Sequence, residues 1–300
     1  MADDTLATAP MLRFAPSPNG ALHLGHAYSA LMNERVAAET GGRLILRIED
    51  LDRARCKPEF EAAMVDDLAW LGLRFPAPWR RQSEHRGDYA AALARLEAQG
   101  LVYPCFCTRS EARRASAGIL DPDGVPLYPG TCRALSSAEA GARLARGDRA
   151  ALRLDMSHAV AAAPAHLSWV EYGEGVVPRE CAAAPAVWGD IVLSGRDLAA
   201  SYHLAVVVDD ALQGVTDVVR GRDLFAATAV HRLLQALLFF PAPRYRHHRL
   251  VLDLSGAKLA KSRQSESLAG LRESGLDPGE VRAALGFAAG AAGTLTVALG

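Results

Sequence analysis

Lysine is nearly missing from this chain: Lys57, Lys258 and Lys261 are the only ones among 33 lysines and arginines. In so lysine-poor a sequence, the close pair Lys258 and Lys261 marks its loop as a feature, against the plainer reading of a solvated surface turn. A global basic field is missing too, since the formal net charge is -1. Any nucleic-acid contact must therefore use a local patch or a shape-matched cleft. No apolar run reaches the roughly 20 residues of a membrane helix, and Leu233–Phe240 is far too short. Met1–Ala9 carries Asp3 and Asp4 and lacks a basic n-region, so it is no signal peptide. Residues 1–10 read as a disordered tail, with Met11 as an alternative start. A chain without an export signal is expected in the cytoplasm, with neither a membrane nor DNA as a partner. There its five cysteines are metal ligands or free thiols rather than disulfides.

What is present is an alternation of strands and helices. Met11–Phe14 reads as a strand, and Pro16, Pro18 and Gly20 as a rigid loop. Leu24, Tyr28, Leu31, Met32 and Val36 recur at near-helical spacing and predict a helix over Leu24–Glu39, ending at Gly41-Gly42. Leu44–Ile48 is a second strand, apolar enough to be buried in a parallel sheet, with Glu49, Asp50 and Asp52 after it. Helices are expected over Phe60–Leu71 and Tyr89–Gln99. This pattern predicts an α/β fold with an open sheet, whose ligands sit at the strands' carboxyl ends.

The pattern lapses between about Cys105 and Pro185, with loops at Gly118–Gly130 and short antiparallel strands around Ala151–Leu154 and Leu167–Tyr172. Strands return at Asp190–Leu193, at Leu204–Val208 before Asp209-Asp210, and at Val215–Val219, then a helix over Leu224–Phe239. The expected organisation is a nucleotide-binding domain in two halves, 11–104 and 190–249, split by an insertion at 105–189. The remaining 250–300 carries the lysine loop and short helices, with Gly286–Gly300 low in complexity and loosely packed.

Two distant motifs carry chemistry. In His23-Leu24-Gly25-His26 a glycine-bearing turn leads into a helix start, where ATP can approach the backbone and anions are favoured. Imidazoles there can donate to phosphate oxygens and stabilise the charge that develops when a carboxylate attacks the α-phosphate. Lys261, with Lys258, adds positive charge on the leaving pyrophosphate. Catalysis of this kind is positioning and electrostatics. The plainer reading of the two histidines is a helix cap.

Arg13–Gly20, His23–His26, Leu46–Asp50 and Lys258–Ser262 together resemble the glutamyl-tRNA synthetase catalytic core, from Met11 to about Leu285. The resemblance implies a class I, Rossmann-type nucleotide-binding fold that activates L-glutamate with ATP and Mg2+. It implies a glutamate pocket of Arg13, Phe14, Ala15, Pro16, Ser17, Glu49, Tyr202 and Arg220. Arg13 would fork onto the side-chain carboxylate, Glu49 pair with the α-ammonium, Tyr202 fix orientation, and Arg220 neutralise a second negative charge. ATP would lie on His23, Gly25, His26, Lys258, Lys261 and Ser262, with His23, His26 and Lys261 catalytic. The chain departs from the family at Leu198, where Gly is usual, and at Ala260, where Ser is common. Too few residues follow Ser262 for a helical anticodon-reading domain, and a core ending there is similar to the glutamyl-queuosine tRNA(Asp) synthetases. That likeness implies transfer of glutamate to the queuosine base at the wobble position of tRNA(Asp), whose anticodon loop enters the active site.

Cys105, Cys107 and Cys132 are three thiols within one short stretch, a donor set suited to tetrahedral Zn2+; the alternative is three free thiols. The family resemblance adds Tyr128 as a fourth ligand of a structural zinc, one per chain. Cys56 and Cys181 stand alone. His158, His166, His231, His247 and His248 fit no ligand spacing and read as surface or packing residues. Arg244, Arg246, Arg249 and the neighbouring His247 and His248 form either a small basic patch for tRNA backbone or a solvated face. Three other functions compete: a conventional synthetase charging a terminal ribose, a nucleotidylyltransferase acting on a small carboxylate, and a non-catalytic RNA-binding relic.

Overall fold

Two adjoining strands set the frame. β1 (Met11–Phe14) and β2 (Arg43–Ile48) pair in parallel, Leu12 opposite Leu44 and Phe14 opposite Leu46. Between them runs α1 (Leu24–Thr40), whose buried Leu24, Tyr28, Leu31, Met32 and Val36 are the residues whose spacing predicted it. Gly41 ends it in the left-handed conformation (φ 63°), where glycine carries no Cβ penalty. The computed structural model describes residues 9–116, 118–252, 267–288, 295 and 297–300.

Chain order continues with α2 (Pro58–Trp70), β3 (Arg80–Arg81), α3 (Arg86–Ala98) and β4 (Val102–Cys105). Then come α4 (Arg109–Ala115), α5 (Ser137–Ala145), β5 (Ala151–Leu154), α6 (Met156–Ala162), β6 (Ser168–Glu171), β7 (Arg179–Ala182) and β8 (Val192–Ser194). The second half has α7 (Tyr202–Leu212), β9 (Asp217–Gly221), α8 (Thr228–Leu237), β10 (Arg244–His248) and β11 (Val251–Leu252). After the undescribed 253–266 follow α9 (Leu268–Glu273), α10 (Pro278–Ala284) and β12 (Ala298–Leu299).

The main sheet runs β3-β2-β1-β9-β10-β6-β7. It is parallel throughout except for the edge hairpin β6–β7. β6 and β7, from within 105–189, therefore join the main sheet, while β4, β5 and β8 make a separate antiparallel sheet. One core lies where α1, α2, α9 and α10 meet β1 and β2; the other lies among α3, α7 and α8. Strand order reverses at β1, flanked by β2 on one side and β9 on the other, and such a switch point opens a crevice beyond the strand ends.

Two expectations are corrected. Leu204–Val208 is helix, not strand. Ser201 caps it, and every residue from Leu204 to Asp210 is buried, so the helix has no polar face and its sequence shows no helical period. The chain end is not loosely packed where described: Phe287, Leu295, Val297 and Leu299 pack on the first core, and β12 pairs antiparallel with β11. Residues 9 and 10 are described; the rest of the expected tail lies outside the described residues. Among the described residues no helix is long and apolar enough to cross a membrane.

Candidate active site

The carboxyl ends of β1, β2, β9 and β10 and the start of α1 enclose a cavity of about 480 Å3. Arg13, Phe14, Ala15, Pro16, Ser17, His23, Gly25, His26, Glu49, Tyr202 and Arg220 all line it. These are all the glutamate- and ATP-site residues expected from the sequence that fall among those described. Lys258, Lys261 and Ser262 lie outside the described residues. The chain on either side of them is at the cavity: Val251 lines it, and Ser267 bridges to His23.

At the start of α1, two histidines perform the capping normally left to Ser and Glu. His23 Nδ1 accepts from the Gly25 N–H at 3.1 Å, and His26 Nδ1 accepts from the His23 N–H at 3.2 Å. An imidazole that accepts at Nδ1 carries its proton at Nε2 when neutral, so each ring keeps a donor there. The two ring centroids are 3.9 Å apart. Gly25 makes this possible, because a Cβ there would stand 2.9 Å from His23 Cε1. The cap reading and the functional reading of these histidines are thus compatible.

Behind the cavity floor lies a buried ionic network. Asp210 Oδ1 accepts from Arg13 Nε at 3.0 Å and from Arg47 Nη1 at 2.7 Å. Arg47 also donates to Glu49 at 3.2 Å and to Gln213 at 3.0 Å. Asp209 accepts from Arg80 at 2.7 Å, Gln82 at 2.8 Å and Tyr89 at 3.0 Å. Burial alone would lower the Arg47 pKa, yet Asp210, Glu49 and Asp209 hold it above the ordinary value. Burial would raise Asp210, but the Arg13 and Arg47 cations hold its carboxyl below the usual range. For Glu49 burial wins and the pKa is raised, against the pull of Arg47 and Arg13.

Arg220 is the contrast. It is buried, and its partners are uncharged: His247 Nε2 at 3.1 Å, His231 Nδ1 at 3.0 Å, Thr228 Oγ1 at 2.8 Å, Leu224 O at 3.2 Å and Tyr202 OH at 3.4 Å. Among the described residues it forms no ion pair. His203 and His231 are kept neutral by burial and by the Arg220 cation; His203 falls to about 4 and His231 well below 6.5. His231 and His247 are thus not surface residues. Sequence reasoning missed their tie to Arg220, and it gave Asp210, Arg47 and Glu171 no role. A signal existed: acids inside an apolar run need buried cations, and Asp209-Asp210 follow five such residues. In the expected basic patch, Arg244 and Arg249 are instead committed to Asp217 and Glu174.

Away from this cavity, the Sγ atoms of Cys105, Cys107 and Cys132 all lie within 4.8 Å of one another. Cys107 Sγ is 3.5 Å from Cys132 Sγ and 3.5 Å from the Tyr128 hydroxyl. A tetrahedral zinc with bonds of about 2.3 Å to sulfur has an edge of about 3.8 Å, so three thiols and a phenol at these spacings fit one ion.

The family model for tRNA synthetases class I (E and Q), catalytic domain, matches residues 11–285. A glutamyl-Q tRNA(Asp) synthetase of Rhodobacter capsulatus is 44% identical over 286 residues, 92% of this chain and 99% of that one. Its namesake in Symbiobacterium thermophilum is 41% identical over 93% of this chain and 86% of its own. The glutamate-tRNA synthetase crystal structure from Elizabethkingia anophelis superposes with a TM-score of 0.75 at 26% identity, over 92% of this chain and 61% of that one. This chain has the class I α/β fold with a parallel Rossmann-like core, and it belongs to the class I (E and Q) tRNA synthetases, within them to the glutamyl-Q tRNA(Asp) synthetases.

Proposed function

We propose that this ligase activates L-glutamate with ATP to glutamyl-adenylate and then transfers glutamate to the queuosine base at the wobble position of tRNA(Asp). One observation supports the glutamate step above the others. Arg220, a buried cation without an acid partner among the described residues, shares a cavity with the acid Glu49 and the His23–His26 turn. An amino acid with a second carboxylate complements that arrangement. Its two negative charges go to Arg220 and Arg13, its ammonium goes to Glu49, and Tyr202 fixes its orientation. Phe14, Ala15, Pro16 and Ser17 shape the wall beside it.

In the first step an α-carboxylate oxygen attacks the α-phosphorus of Mg2+-bound ATP, and the bond to pyrophosphate breaks. His23 and His26 donate to phosphate oxygens on which charge builds, and Gly25 lets the nucleotide approach the backbone. Lys258, Lys261 and Ser262 are assigned to the leaving pyrophosphate. In the second step the glutamyl group passes to the acceptor and AMP leaves. A tRNA acceptor puts this reaction in the cytoplasm. Cys105, Cys107, Cys132 and Tyr128 are proposed to hold one structural zinc, which pins the insertion against the acceptor.

The test is transfer of radiolabelled glutamate, with ATP, to tRNA(Asp) with and without queuosine and to tRNA(Glu). Label confined to queuosine-containing tRNA(Asp) is expected. Label on tRNA(Glu) instead would make the acceptor a terminal ribose.

A further inference from the structure

The acid nearest to Arg220 along hydrogen bonds is Glu171, on a different strand and one imidazole away. Glu171 Oε2 lies 2.6 Å from His247 Nδ1, and His247 Nε2 lies 3.1 Å from Arg220 Nε. The direction of this chain is fixed by chemistry. A guanidinium only donates, so His247 Nε2 is the acceptor, and the neutral ring must carry its proton on Nδ1, facing the carboxylate. The carboxylate is itself pinned by three further donors. The His247 N–H reaches Oε1 at 2.9 Å, the Gly173 N–H reaches Oε1 at 2.8 Å, and Trp169 Nε1 reaches Oε2 at 3.2 Å. Glu171 and His247 are both buried, and neither lines the cavity.

We infer that Glu171 and His247 are positioning residues for the amino-acid substrate: Glu171 fixes the tautomer of His247, and His247 fixes the orientation of Arg220. The inference rests on the proposal that Arg220 binds a carboxylate of glutamate. An acid in direct contact would cancel the charge that the substrate needs. An imaginary carboxylate at position 247 would do that; a carboxylate one ring further back supplies a fixed partner without closing an ion pair. Thr228 and Leu224 O hold the Nη2 side of the guanidinium. Nε is on His247, Nη2 on these two, and Nη1 donates to His231 Nδ1 at 3.0 Å with the Tyr202 hydroxyl at 3.4 Å; Arg220 and Tyr202 both line the cavity. The amide of an E171Q variant can accept from Nδ1–H or donate to a bare Nδ1, so Arg220 alone is left to hold the tautomer. Once the proton moves to Nε2, His247 and Arg220 present two donors to one another and the guanidinium must turn away.

Two measurements on E171Q and H247N test this. The first is glutamate-dependent ATP–pyrophosphate exchange, with KM for glutamate and for ATP determined separately. A ten-fold or greater rise in the glutamate KM is expected in both variants, with the ATP KM within two-fold of the parent, roughly 1.4 kcal/mol confined to one substrate. An unchanged glutamate KM, or equal losses for both substrates together with a lowered melting temperature, would overturn the inference. The second is the 15N spectrum of the histidine rings, which distinguishes the tautomers without any turnover. His247 protonated on Nδ1 in the parent and shifted toward Nε2 in E171Q supports the relay; the same tautomer in both overturns it. If the parent shows no glutamate-dependent exchange, the glutamate reading fails, and the ring spectrum alone then decides for or against the relay.

Discussion

Asp210 Oδ1 accepts from Arg47 Nη1 at 2.7 Å, tying helix α7 to strand β2 where neither side chain meets water freely. The same oxygen accepts from Arg13, so one carboxylate holds a cavity residue and a floor residue in register. Removing one partner of a buried pair strands the other charge, which costs about 3–5 kcal/mol. Asp210→Ala is expected to lose stability toward the lower end of that range in urea denaturation, because Arg13 and Arg47 lose their shared acid while Arg47 keeps Glu49 at 3.2 Å. Asp210→Asn keeps the shape and one acceptor, so it is expected to lose less stability while still raising the glutamate KM. A fully stable Asp210→Ala variant would mean that the network does not hold the floor.

Gly25 presents a different test, because folding and function should separate there. Inside a helix, Gly→Ala ordinarily stabilises by roughly 0.5–1 kcal/mol. Here the added Cβ stands 2.9 Å from His23 Cε1, and the ring must swing off its cap. Gly25→Ala is expected to melt within a few degrees of the parent yet lose about 100-fold in ATP–pyrophosphate exchange, the size of effect a small misplacement of catalytic groups produces. Parental exchange in that variant would remove His23 from the chemistry.

Much of this site was legible because its motifs are local. Phe14–Ser17 and His23–His26 each sit within a few residues of a strand end or helix start, where composition and spacing speak directly. Glu49 follows the apolar strand Leu44–Ile48 for the same reason. What sequence could not give is the set of pairings made across the sheet. Arg13 meets Asp210, and Glu171 meets His247, across wide separations in the chain. The apolar run Leu204–Val208 misled because burial on all sides erases the helical period, leaving β-branched composition as the only cue. His247 looked like part of a basic surface because Arg244, Arg246 and Arg249 surround it, yet β10 is an inner strand, flanked by β9 and β6, and His247 is buried there.

The neutral histidines around Arg220 make stability depend on pH in a defined window. An imidazole whose pKa is lowered by folding contributes fully above its ordinary value of about 6.5, and that contribution is lost as pH falls toward the folded value. For His203, pushed down to about 4 first by burial and then by Arg220, the window runs from 6.5 to 4. Burial also lowers His231 and His247, and Arg220 adds to both. The melting temperature is therefore expected to fall between about pH 7.5 and about pH 5, as the unfolded chain takes up protons that the folded one refuses. His203→Asn removes one such group and should flatten the slope. A melting temperature that rises on acidification over this range would contradict the assignment.

The sulfur cluster makes a prediction about composition as well as stability. Burial pushes the Cys107 thiol up to about 11, whereas Cys132, despite its burial, is held below its ordinary value by Tyr128 and the Phe106 N–H. Zn2+ would take these groups as deprotonated ligands, which accounts for three thiols and a phenol lying this close together. Elemental analysis of the purified protein is expected to give about one zinc per chain. Cys107→Ser and Cys132→Ser are each expected to lose that zinc and to melt several degrees lower. None of these four residues lines the cavity, so pyrophosphate exchange should fall less than transfer to tRNA does. Protein that binds no zinc yet melts as the cysteine variants do would identify three free thiols instead.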